Sequence, residues 1–258
     1  MKDSLRYRLD PAELFRDVVG DPDPWQLKAL RSSHPRQLYL CSRQTGKSAV
    51  ASIRALHTAM FNAGALVLMV SKSLPQSQEL FRKALLAYRD LGRPMGVAYE
   101  SRLHLELGNG SRLISLPGSE ATVVGYAPAA VYIDEAAETT DDLAEALFPS
   151  VAATRGSIIA LSSAKAASGW FHRLWTRHDR DLIWQAHTAT ATESSLITDE
   201  MIHDDRINFG DRYVKREYFC VFGEDEDSWI EGYKAERMLE LVDTSEPLWK
   251  PRREREIA

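Results

Sequence analysis

Only two cysteines, Cys41 and Cys220, occur in the 258 residues. No disulfide framework is implied, so stability has to come from a buried core. Long hydrophobic runs are missing as well: no apolar stretch approaches the ~20 residues that span a bilayer. The N-terminus, Met-Lys-Asp-Ser-Leu-Arg-Tyr-Arg, lacks the apolar centre of a signal peptide, which makes a cytoplasmic, membrane-free setting the default expectation. Internal repeats and low-complexity segments are not evident. Neither sign of charge dominates: 32 Lys and Arg stand against 37 Asp and Glu, a net charge of −5. That balance neither demands nor forbids a nucleic-acid partner, because a local basic stripe can still hold a phosphate backbone. What is present is ordinary globular material, 44% hydrophobic and 27% charged, long enough for one large core or two smaller ones.

The first ~35 residues read as a preamble. In it Asp21-Pro22-Asp23-Pro24 marks a turn, and Trp25-Gln26 opens a short helix to Leu30. Apolar runs at 37–41, 65–71, 129–133 and 157–161 read as buried strands, and 182–187 as a last one. Helical periodicity fits 48–61, 75–91 and 169–178, and also 198–220 with a break near Gly210. Residues 102–107 and 112–116 alternate around Gly108-Asn109-Gly110, a hairpin signal that a parallel sheet would carry as an insertion or edge. Strands alternating with helices predict an α/β fold with a central, mostly parallel sheet flanked by helices. In such sheets ligands bind at the carboxyl ends of strands. Three polar clusters fall at such ends: after Cys41, after Ile133 and after Leu161.

The first cluster reads Ser42-Arg43-Gln44-Thr45-Gly46-Lys47-Ser48. It keeps the second half of a phosphate-binding P-loop, with Cys41 in place of the first glycine. Its place between a predicted strand and a predicted helix supplies backbone N–H groups for an anion. Lys47 would reach the β- and γ-phosphates and the Ser48 hydroxyl would bind Mg²⁺. The bland alternative is a chance Gly-Lys-Ser at a helix start. The second cluster is Asp134-Glu135, closing Val131-Tyr132-Ile133. Asp134 is expected to hold the Mg²⁺ shell with Ser48, and Glu135 to orient and deprotonate the attacking water. Its bland alternative is a solvated first helical turn, where acids are favoured.

Taken in order, these residues resemble the ATPase domain of the large terminase subunit of tailed bacteriophages. Trp25-Gln26 looks like that family's Q motif. Ser42 to Ser48 resembles its deviant P-loop, which carries an internal arginine and often lacks the first glycine. Val123-Val124-Gly125-Tyr126 followed by residues 131–137 resembles the approach to its Walker B strand. Leu161-Ser162-Ser163-Ala164 with Gly169-Trp170-Phe171 resembles its coupling motif. Residues 213–222, with Glu217-Tyr218 and Phe222, resemble its closing Glu-Tyr-X-X-X-Phe. The resemblance covers about residues 22–225.

It implies a P-loop NTPase of the ASCE type that uses ATP and Mg²⁺. It implies that Gln26 contacts adenine, that Arg43 acts in cis at the γ-phosphate, and that Ser162 and Ser163 sense that phosphate and couple hydrolysis to movement. Ser162-Ser163 as a plain helix cap, and Gln26 as a surface residue of a short helix, are the competing readings. Implied partners are double-stranded DNA, the portal protein, the small terminase subunit and further copies of the chain. The copies would form a ring, usually pentameric on the portal, with a monomer expected in solution. The implied location is the host cytoplasm.

One departure is Val124, where the family commonly has arginine; Arg102, Arg112 and Arg155 are candidate replacements. Residues 1–225 are expected to be the ATPase domain and 226–258 a linker and tail, including a helix over 229–241. A nuclease domain would follow in the family, and none is expected in this chain. Acidic Glu224-Asp225-Glu226-Asp227 reads as a solvated linker rather than a metal site. Two basic stretches, 171–180 and 206–216, are candidate DNA contacts or simply solvated helix faces. Two other functions compete with a packaging motor: a helicase-like DNA-dependent ATPase, and an assembly module that binds ATP with little turnover.

Overall fold

The computed structural model describes residues 2–119 and 123–223; the helix expected over 229–241 and the tail lie outside the described residues. By contact the chain divides into a unit Met1–Gly223 and a unit Glu224–Ala258. The apolar runs of the first unit become strands β1 (Arg36–Cys41), β2 (Leu66–Ser71), β3 (Val97–Glu100), β4 (His104–Leu107), β5 (Arg112–Pro117), β6 (Ala130–Asp134), β7 (Ser157–Ser162) and β8 (Gln185–Ala189). They form one sheet in the order β3-β4-β5-β2-β6-β7-β1-β8. From β5 to β8 every neighbour is parallel. The expected hairpin of β4 and β5 lies at the sheet's edge, and β3 extends it into an antiparallel meander.

Helices cover both faces. On one side lie α1 (Lys2–Leu9), α2 (Pro11–Val18), α3 (Pro24–Arg31), α4 (Lys47–Phe61) and α5 (Leu74–Asp90). Their Leu14, Phe15, Leu30, Ile53, Phe81 and Tyr88 pack on Tyr39, Val67, Met69, Tyr132 and Leu161 of the sheet. On the other lie α6 (Asp141–Ala153) and α7 (Gly169–Asp181). There Leu143, Leu147, Val151, Trp170 and Phe171 meet Leu40, Val70, Ile133 and Ala160. Alternate residues of each central strand thus serve opposite cores, which is why those strands read as unbroken apolar runs. Each fully buried side chain of this kind stabilises the fold by about 1.5–3 kcal/mol. Helix α8 (Asp199–Phe219) bends at Gly210, whose φ of 83 is non-helical. Among the described residues no helix is long and apolar enough to cross a membrane.

Three features differ from the expectation. The preamble is more helical than its sequence suggested: the Asp10 side chain accepts from Ala12 N at 3.0 Å and Pro11 starts α2, which buries Ala12, Leu14 and Phe15. Strand β3 has no alternating pattern, because its position at the sheet's rim leaves it part-exposed. The last strand begins at Gln185, not Leu182. Leu182 adopts left-handed φ 50 to close α7, and both it and Ile183 are exposed.

Candidate active site

All of the residues singled out from the sequence as site residues meet at the carboxyl edge of the parallel strands. Cys41 is still part of β1, fully buried and paired with Ala189. A glycine is not required there, because the turn begins only at Ser42. Burial pushes the Cys41 thiol well above its usual range, and Cys220 up to about 12, so neither is a nucleophile.

The loop after β1 is fixed by its first two amides. Ser42 N donates to Ala189 O at 2.8 Å and Arg43 N to Glu217 O at 2.9 Å. The Thr45 hydroxyl donates to Ser42 O at 3.0 Å. Gln44 (φ 60) and Gly46 (φ 82) then turn the chain through the left-handed region into α4. Among the described residues no acceptor faces the amides of residues 44–48. With the start of α4 they form a concave set of N–H donors suited to an anion. Buried Gln26 braces this loop: its Oε1 accepts from Asp23 N at 2.9 Å and its Nε2 donates to Thr45 O at 2.8 Å. A Cβ at Gly46 would stand 2.7 Å from Gln26 Nε2, so the two are in close contact.

Lys47 and Ser48 face the end of β6. Lys47 Nζ lies 2.9 Å from Glu135 Oε1, and the Ser48 hydroxyl donates to Asp134 Oδ2 at 2.7 Å. Burial pushes the Asp134 carboxyl above its ordinary range, with Glu135 adding to this against the pull of Lys47. Burial also works against the Lys47 ammonium, but Glu135 and Asp134 outweigh it and hold its pKa above the usual value. Glu135 sits at φ 52, ψ 44. A non-glycine residue there stores about 1–3 kcal/mol of strain, which the surroundings must hold in place. They do so through Lys47, and through Ser163, whose hydroxyl donates to Glu135 Oε2 at 3.3 Å. Ser162 Oγ accepts from Ala137 N at 3.1 Å, tying the end of β7 to the turn after Glu135.

Other contacts here were not legible beforehand. Buried Glu217 on α8 holds the loop twice: its carbonyl takes Arg43 N, and its Oε2 lies 3.3 Å from Arg43 Nε, an ion pair short of hydrogen-bond geometry. Glu138 accepts from Lys72 at 3.1 Å and pairs with Lys165 at 2.9 Å, cross-linking the segments that follow β2, β6 and β7. Trp170 N donates to Asp141 Oδ1 at 2.7 Å and its indole N–H to Thr139 Oγ1 at 2.9 Å, so Gly169-Trp170-Phe171 docks α7 on the same turn. Gly223 N donates to Lys165 O at 2.8 Å, stitching the end of the unit to the segment beyond Ser163.

Val124 is exposed. Arg112 and Arg155 lie at the starts of β5 and β7, on the rim opposite the loop; Arg102 precedes antiparallel β4 and so lies on the loop's rim, at the meander end. In the basic stretches Arg173 pairs with Asp141, Arg206 with Asp211 and Arg216 with Glu217.

A parallel sheet whose β1–loop–α4 unit presents free amides and Lys47 opposite Asp134-Glu135 defines a P-loop NTPase. Residues 38–237 match the family model described as terminase large subunit, T4likevirus-type, N-terminal. The chain belongs to that family. The fold agrees with the large terminase ATPase domain of Thermus phage P74-26, at TM-score 0.71 and 20% identity over 83% of this chain and 99% of that one. It also resembles the large terminase of a thermophilic bacteriophage solved in complex with ATP-gamma-S, at TM-score 0.63 and 13% identity over 78% of this chain and 52% of that one. Bacteriophage HK97 large terminase gives TM-score 0.59 and 15% identity over 91% of this chain and 52% of that one. The matched part is thus about half the length of each of these last two proteins.

Proposed function

We propose that this chain binds Mg²⁺·ATP at the loop of residues 42–48 and hydrolyses it, as the ATPase part of a phage large terminase that drives double-stranded DNA into a procapsid. The observation that carries the proposal is the set of unpartnered amides of residues 44–48 opposite the Lys47–Glu135 pair. Those amides would cradle the phosphates. Lys47 would leave Glu135 for the β/γ-phosphates, and the freed carboxylate would accept the proton of the attacking water. Substrate would thereby unlock its own general base. Arg43, exposed beside the loop, would reach the γ-phosphate once released from Glu217. Ser163, already bonded to Glu135, would report whether that phosphate is present, with Ser162 passing the signal to the turn after β6. Gln26 would serve adenine with the N–H that its two backbone bonds leave free.

The donor set suits magnesium: Ser48 and Asp134 supply two hard oxygens at hydrogen-bond distance from each other, and these two residues would hold the ion. When bound, the ion neutralises charge on the β- and γ-oxygens. The thermophilic phage's large terminase has been solved with ADP and with ATP-gamma-S, which supports nucleotide as the ligand. Assembly with a portal, a small subunit and further copies in the host cytoplasm follows from the family.

A second reading, an assembly module that binds ATP with little turnover alone, is favoured by exposed Val124 and by a general base that rests in an ion pair. Phosphate release measured against protein concentration, with and without DNA, separates the readings. Release per chain that rises with concentration or with DNA supports the motor. Tight ATP binding without release under any of these conditions supports the module.

A further inference from the structure

The roles above leave unused a buried hydroxyl beside the metal-site residues. Ser71 is the last residue of β2 and 1% exposed, and its Oγ has no hydrogen-bond partner among the described residues. Its carbonyl accepts from Gly118 N at 2.7 Å, so the backbone is fixed. In the β2–β6 ladder Ser71 pairs with Asp134. Paired residues of parallel strands share a face, with strands about 4.8 Å apart. The preceding residues of that face, Met69 and Tyr132, both enter the core under α4 and α5. The Ser71 side chain therefore stands beside Asp134, whose two oxygens already take the Ser48 hydroxyl and Glu135 N. A buried hydroxyl left without a partner is costly, and folds retain one where a water or ligand satisfies it.

We propose that Ser71 is a positioning residue of the metal site, holding by its hydroxyl a water of the hydration shell of the cation that Ser48 and Asp134 bind. This rests on the magnesium–nucleotide reading above. Ser71 would make the shell more rigid and tighten the cation without touching it, as outer partners of metal sites do. Ser115 provides an internal reference. Its Oγ is also buried without a partner, but it pairs with Met69, two residues short of Ser71 and one strand further from Asp134.

The test uses the full chain with saturating ATP-gamma-S and Mn²⁺ as the probe, free Mn²⁺ being counted by electron paramagnetic resonance. Ser71→Ala removes an unsatisfied hydroxyl, so it is expected to fold with a nucleotide-free melting temperature at or above that of the unaltered chain. Its Mn²⁺ affinity is expected to fall about tenfold, while Ser115→Ala binds like the unaltered chain. Ser71→Ala binding as tightly as the unaltered chain would overturn the proposal. Equal weakening in both variants would also overturn it, by showing a general packing effect. If the unaltered chain shows no Mn²⁺-dependent binding of ATP-gamma-S, the nucleotide reading itself fails and takes this one with it.

Discussion

At the ends of β1, β6 and β7, charges are buried and backbone is strained: Lys47 and Asp134 lie out of water, and Gln44 and Glu135 are left-handed without being glycine. At the meander of β3, β4 and β5 the rules are different. Arg89 and Arg93 share Glu100 near solvent, and left-handed residues 92, 93, 96 and 110 are confined to turns. Of those four only Arg93 is not a glycine, and it lies in the turn before β3. The loop edge holds groups that cost stability and that only a bound anion and cation would fully compensate, the usual trade at working sites.

Substitutions at the two regions should separate accordingly. The largest effect is expected for Gly46→Ala. Its φ of 82 disfavours any side chain, and the new Cβ would collide with Gln26 Nε2. Nucleotide affinity should be lost in calorimetric titration, with a stability cost of about 1–3 kcal/mol. Gly110→Ala has nearly the same backbone, φ 79, but its Cβ meets only Gly64 Cα at 4.0 Å. It should cost about 1 kcal/mol in denaturant melts and leave nucleotide affinity unchanged. Asp134→Asn should act in the opposite sense. It removes a charge that burial penalises, so the nucleotide-free chain should gain about 1 kcal/mol and melt about 2–4 °C higher, while metal-dependent nucleotide binding disappears.

The smallest effect lies on β8. His187 stacks on Tyr39 at 5.2 Å, and burial, with Lys28, Arg54 and His34, lowers its pKa to about 4. The folded chain therefore binds fewer protons than the unfolded chain between pH 6.5 and 4. Stability from this residue is present above pH 6.5 and lost as pH falls toward 4. His187→Gln should flatten that slope, by less than about 1 kcal/mol because the ring is only half-buried.

Much of this was legible in the sequence because the signals were local. The apolar runs of β1, β2, β6 and β7 showed burial on both faces, and Gly108-Asn109-Gly110 showed the β4–β5 turn. Ser42 to Ser48 and Asp134-Glu135 marked the candidate site, since phosphate chemistry would need those types at strand ends. What was hidden depends on partners distant in the chain. Glu217 could be found as part of a motif, but its hold on Arg43 appears only once α8 lays it against the loop. Ser71 reads as a strand end until β2 pairs with β6. Gln26 could be found only as a motif, and its bonds to Asp23 and Thr45 appear only once α3 packs beside the loop. Strand β3 carries too little apolar patterning to be read at all.

The hydrolysis proposed for the loop edge turns on Glu135 being a base held in reserve by Lys47. The direct measurement is ATP affinity together with steady-state phosphate release for the unaltered chain and for Glu135→Gln. Binding should persist in the variant while turnover falls by at least about 100-fold. Turnover at the unaltered rate would remove Glu135 from the chemistry and contradict that role.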